Sequence, residues 1–147
     1  MKTIVVGIGN PNFRDDGVGL KIVEHFEGLV DTVMLMNPDF KVLDKILGYD
    51  RAIIVDGVKS GQQPGTIVEL DPLNTFKNIY ASGTHNITLF EVIRVGYTLF
   101  PDEMPKEIKI IGVEVEDVET LSGECSPKVR EAIPKVVEKI KSYLRIK

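Results

Sequence analysis

Four residues in this sequence have types and spacing suited to chemistry: the adjacent acids Asp15 and Asp16, the acid Asp56, and His85. Two carboxylates and an imidazole make a mixed oxygen and nitrogen set. Such a set suits a divalent transition metal with open coordination positions. No H-E-x-x-H occurs, so the chain is not a zincin-type protease. Cys125 is the only cysteine, which excludes an intramolecular disulfide and makes a closed thiolate zinc site unexpected. No Ser or Cys nucleophile with a partnered base stands out.

Each of these residues also has an ordinary structural role open to it. Asp15 and Asp16 stand near a helix N-terminus, where capping and the helix dipole favour acids. Adjacent helix positions point in different directions, so one acid can cap while the other faces a site. Asp56 precedes Gly57 and suits a turn. A lone histidine such as His85 often serves as a hydrogen-bonded structural residue. His25, the other histidine, falls mid-helix beside Glu24 and Glu27 and reads as a surface residue. Cys125, in a Gly-Glu-Cys-Ser-Pro stretch with no nearby His, reads as an ordinary thiol.

Gly7, Gly9, Gly17 and Gly19 surround the acid pair. Gly-x-Gly after a first strand occurs in dinucleotide folds. Here Asn12 replaces the third glycine, and two acids stand where a pyrophosphate would approach the helix. No Walker A motif is present. The glycines fit a tight strand-to-loop turn with close packing.

Alternating strands and helices must position these residues. Thr3 to Val6, Thr32 to Met36, Ala52 to Val55, Thr66 to Leu70 and Glu107 to Val113 read as strands. Val18 to Leu29, Val42 to Leu47, Ile87 to Leu99 and a final segment after Ser126 read as helices. Residues 71–83 read as loop. In the last helix Ser126 suits the N-cap and Pro127 the first helical position. Val129, Ala132, Ile133, Val136, Val137, Ile140, Tyr143 and Leu144 form its apolar stripe. Lys139, Lys141 and Arg145 suit its dipole, and Pro134 predicts a local kink.

This alternation implies the α/β class, a three-layer α-β-α arrangement around a mostly parallel sheet. The Thr66 strand follows the Ala52 strand with no helix between them, so it is expected to be antiparallel or at an edge. Ligands of open α/β sheets collect beyond the carboxyl ends of the strands. Asp15 and Asp16 follow strand one, Asp56 ends the central strand, and His85 lies just before the Ile87 helix. If strand one and the Ala52 strand are neighbours, Asp16 and Asp56 come side by side. Convergence of His85 does not follow from spacing alone.

The chain has 147 residues, 43 % of them hydrophobic, enough for one domain spanning 1–147 with one sizeable core. No segment approaches the roughly 20 apolar residues that span a membrane. The start, MKTIVVGIGN, reads as a first strand rather than a signal peptide, so a soluble cytoplasmic protein is expected. Net charge is −4 with scattered basic residues, which gives no footprint for nucleic acid and repels anionic membranes.

The segments GIGNPNFRDDGVG (Gly7 to Gly19), AIIVDGV (Ala52 to Val58) and GTHNITL (Gly83 to Leu89), with the turn Gln63-Pro64-Gly65, make the chain resemble the hydrogenase-maturation endopeptidases. The motifs keep the family's order and cover nearly the whole chain, from Lys2 to the final helix. They look most like the branch with D-D and T-H-N. The resemblance implies a five-stranded twisted sheet between helices and a monomer. It implies an aspartyl-type or metal-dependent endopeptidase that trims the C-terminal tail of a nickel–iron hydrogenase large-subunit precursor. Matched residue by residue, Asp16, Asp56 and His85 are the implied metal ligands and catalytic centre.

On this resemblance the nickel arrives with the precursor, and a divalent metal at the same site is also possible. Cleavage follows a basic residue, His or Arg, a few positions beyond the last metal-binding motif, and loss of the tail lets the subunit close. The metal can serve recognition alone or also polarise the carbonyl or activate water. Two positions depart from the family: Met36-Asn37-Pro38-Asp39 replaces a Gly-Gly loop, and Val115 stands where relatives often have Pro. Behind the endopeptidase rank a non-catalytic nickel carrier built on the same three residues and, last, a nucleotide-binding module on the Gly-x-Gly turn.

Overall fold

The computed structural model describes residues 1–70, 72, 80–81 and 89–146. Its strands are β1 (Thr3–Ile8), β2 (Asp31–Leu35), β3 (Arg51–Lys59), β4 (Ile67–Leu70), β5 (Tyr80–Ala81) and β6 (Glu107–Glu114). Five of them follow the order β2-β1-β3-β6-β4, and β5 pairs with the end of β3. The pairs β1–β2, β1–β3 and β3–β6 are parallel, while β4 runs antiparallel on β6. β1, β3 and β6 are nearly continuous runs of buried Val and Ile, as strands covered on both faces must be.

The helices supply that cover. α1 (Val18–Val23) and α4 (Pro127–Leu144) bury their apolar sides against Val5, Ile53, Val55, Ile111 and Val113. α2 (Lys41–Ile46) and α3 (Leu89–Leu99) pack on the other face against Val6, Ile8, Ile54 and Ile110. Side chains alternate along a strand, so Asp56 projects with Ala52 and Ile54 onto the α2–α3 face. The three-layer α-β-α arrangement and the antiparallel edge strand agree with the sequence reading. No helix among the described residues is long and apolar enough to cross a membrane.

Four elements differ from expectation. The first helix stops at Val23 and tightens into a 3-10 turn, Glu24–Phe26, before Gly28 (φ +82°) redirects the chain into β2. β3 does not end at Asp56. It continues to Lys59 because β6 pairs alongside as far as Glu114. β1 leaves β3 at Val55, which frees the edge at Val58 and Lys59, and β5 fills it within a segment read as loop. In α4, Ser126 occupies the N-cap position but its side chain makes no cap; the helix itself runs from Pro127 to Leu144 with Pro134 inside it, as the sequence reading has it.

Candidate active site

Two close approaches bring the acid-bearing turn to the sheet. Gly9, at the end of β1, has φ +148°, and a Cβ there would lie 1.8 Å from the carbonyl oxygen of Asp16. Only glycine lets the chain fold back on itself this tightly. At Gly19 a Cβ would lie 2.5 Å from the carbonyl oxygen of Val55, so α1 rests directly on β3. Between them the 3-10 turn Arg14–Gly17 carries the two acids.

The acids divide their roles. Asp15 is fully buried, and its carboxylate accepts from the N–H groups of Glu116, Asp117 and Ser126 and from the Ser126 hydroxyl. Asp16 is 6 % exposed and accepts the Asn10 N–H at 2.9 Å. Asp56 is 2 % exposed, and neither of its oxygens meets a hydrogen-bond donor among the described residues. Burial pushes the Asp56 carboxyl well above the usual 3.8, and the charge of nearby Asp16 pushes it further. The Gly57 N–H offsets part of this without reaching hydrogen-bond geometry with either oxygen.

The structure therefore brings Asp16 and Asp56 together beyond β1 and over β3. His85 lies outside the described residues. It precedes α3, whose first residue Leu89 packs on the face that Asp56 points into. Among the described residues no three His, Cys, Asp or Glu side chains gather closely enough to hold a metal ion. His25 is exposed, as expected. Cys125 is buried, and burial, then the Asp15 charge, raises its thiol to about 11, which rules it out as an activated nucleophile.

One acid escaped the sequence reading. Glu114, 4 % exposed, accepts the Ser60 N–H on both carboxylate oxygens (3.0 and 3.1 Å) and the Ser60 hydroxyl. It ties the turn after β3 to the end of β6, on the same face as Asp56. Its only trace in the sequence is an acid directly after an apolar run. A cavity of about 420 Å³ lined by Leu70, Tyr97, Ile108 and Tyr143 lies at the opposite end of β6, away from the acids.

The family profile described as HycI, hydrogenase maturation protease, matches residues 19–143. The chain belongs to this family. The match includes Asp56 and His85 and begins just after the acid pair. The hydrogenase 2 maturation protease of Escherichia coli K12 is 29 % identical over 157 aligned positions, covering 99 % of this chain and 92 % of that one. The hydrogenase expression/formation protein HupD of Rhizobium leguminosarum bv. viciae is 28 % identical, over 98 % of this chain and 74 % of its own. Among solved structures, the hydrogenase maturating endopeptidase HybD of E. coli superposes with a TM-score of 0.78 at 26 % identity, covering 99 % of this chain and 93 % of that chain. The protein is thus a hydrogenase maturation protease, an enzyme that processes a hydrogenase precursor.

Proposed function

We propose that this protease removes the C-terminal extension of a nickel-loaded hydrogenase large-subunit precursor, and that Asp16, Asp56 and His85 grip the nickel carried by that substrate. The observation that carries the reading is Asp56, a buried carboxylate with neither oxygen satisfied among the described residues. A buried acid without donors opposes folding. A second carboxylate beside it raises the cost, and a bound cation relieves both. Two oxygens and one imidazole nitrogen leave coordination positions open, which suits a metal that keeps ligands of its own from the precursor. A grip so incomplete favours a filled precursor over free metal, and that preference makes cleavage a check on nickel loading. When bound, the metal would also supply Lewis-acid polarisation at a nearby carbonyl. On the same reading the enzyme works as a cytoplasmic monomer.

The test is the intact mass of a cognate large-subunit precursor after incubation with the enzyme, with and without nickel. Loss of a C-terminal peptide from the nickel-loaded form alone is the expected result. Equal cleavage of both forms discards nickel recognition, and no cleavage of either discards the reading as a whole.

A further inference from the structure

We propose that Asp15 is a positioning residue for the acid site: its buried carboxylate gathers donors from the 116–126 segment and the start of α4, and so fixes the turn that presents Asp16 to Asp56. The inference rests on the reading of Asp16 as an acid that grips substrate nickel.

The contacts converge from one direction. The N–H groups of Glu116 and Asp117 each lie 2.9 Å from Oδ2 of Asp15, and the Ser126 N–H lies 2.7 Å from Oδ1. The Ser126 hydroxyl donates to Oδ2 as well, in place of capping its own helix. The backbone adds to these ties. Asp15 N–H donates to the Asp117 carbonyl at 3.0 Å, Arg14 N–H to the Ser122 carbonyl at 3.0 Å, and Ser122 N–H to the Asn12 carbonyl at 2.9 Å. Between these anchors Arg14 sits at φ +36°, a conformation that residues with a side chain avoid. Such strain persists only where the surroundings over-determine it. Here the surroundings are the contacts of Asp15 and its neighbours with the 116–126 segment.

Geometry links this anchor to the site. In a 3-10 turn of about three residues per revolution, successive side chains diverge by roughly 120°. Holding Asp15 toward α4 therefore sets where Asp16 projects. The Asn10 N–H, 2.9 Å from Asp16 Oδ2, is a built-in reporter of that position.

The experiment compares Asp15→Asn, Ser126→Ala and Asp16→Ala with the wild type. An Asn at position 15 that keeps the Glu116 and Asp117 bonds turns its amide NH2 toward the Ser126 N–H, donor against donor. Amide spectra of 15N-labelled, metal-free protein are recorded where circular dichroism shows each variant folded. Steady-state cleavage of nickel-loaded precursor is measured at the same temperature. Asp15→Asn is expected to move the Asn10 amide toward its position in Asp16→Ala. It should also lower kcat by roughly 10- to 100-fold with KM within about twofold, the signature of misplacement rather than lost binding. Ser126→Ala removes one donor of the four and should move both readouts the same way by less. A lower melting temperature with a wild-type Asn10 resonance and wild-type kcat overturns the proposal and leaves Asp15 a structural staple. Should Asp15→Asn fail to fold, Ser126→Ala decides alone: wild-type values for both readouts overturn it. Full cleavage by Asp16→Ala sinks the nickel-grip reading instead, and the Asn10 resonance still judges the positioning claim.

Discussion

Replacing Asp56 by Asn should stabilise the metal-free protein at neutral pH while abolishing cleavage. The carboxyl is 2 % exposed, finds no donor among the described residues, and is raised well above its usual 3.8 by burial and by Asp16. Below that usual value the group is protonated in both folded and unfolded chains, and it leaves stability unchanged. As pH rises above it, the unfolded chain releases the proton first. The folded protein must then hold the proton or bury a charge, so stability falls until the raised folded pKa is passed. An unpaired buried charge costs several kcal/mol, whereas a neutral amide short of partners costs about 1–3 kcal/mol. The difference favours Asn by about 1–3 kcal/mol near pH 7.5. At about 2–4 °C per kcal/mol for a chain of this size, Tm rises by roughly 2–12 °C. The assay is calorimetry of both proteins with a chelator present, near pH 4.5 and near pH 7.5. A gain at the higher pH that shrinks at the lower one is the expected pattern. A variant less stable than wild type near pH 7.5, or a gap independent of pH, refutes the argument that Asp56 is an uncompensated buried acid. Stability given up at a functional group is a common trade in enzymes.

Other consequences follow from the same contacts. Gly9→Ala places a methyl 1.8 Å from the Asp16 carbonyl oxygen, so backbone must move; stability should fall by about 1–3 kcal/mol or more and cleavage by a larger proportion, measured by melting and by precursor mass. Phe26→Ala empties a fully buried site beneath α1 and should cost about 3–5 kcal/mol, with cleavage unchanged at temperatures where calorimetry shows the protein folded. With its thiol near 11, Cys125 carries about one thiolate per thousand molecules at pH 8. Iodoacetamide should therefore leave the native enzyme unlabelled and active, and should label it readily in denaturant, as mass spectrometry would report.

The convergence of Asp16 and Asp56 was legible in the sequence because parallel neighbours carry the residues near and beyond their carboxyl ends to one end of the sheet. β1 and β3 were recognisable as two such strands, and the α-β-α layering followed from their alternation with helices. The division of labour between Asp15 and Asp16 was legible only as a possibility. Its outcome depends on donors from Glu116, Asp117 and Ser126, more than a hundred positions away. Glu114 went unnoticed for a similar reason: its hold on Ser60 requires β6 to run in register with β3 as far as Val58 and Glu114. β5 escaped because two residues carry no periodicity, and they pair only with the stretch of β3 that outlasts β1. Gly9 and Gly19 announced a tight turn correctly, since each stands where a side chain would strike backbone.

The most direct test of nickel recognition by Asp16, Asp56 and His85 is single-turnover cleavage of one precursor in nickel-loaded and nickel-free forms. The wild type is compared with Asp16→Ala, Asp56→Ala and His85→Ala. The wild type should cut only the loaded form, and each substitution should remove most of that rate while the protein stays folded. Wild-type rates from all three variants, or equal cutting of the nickel-free precursor, would contradict it.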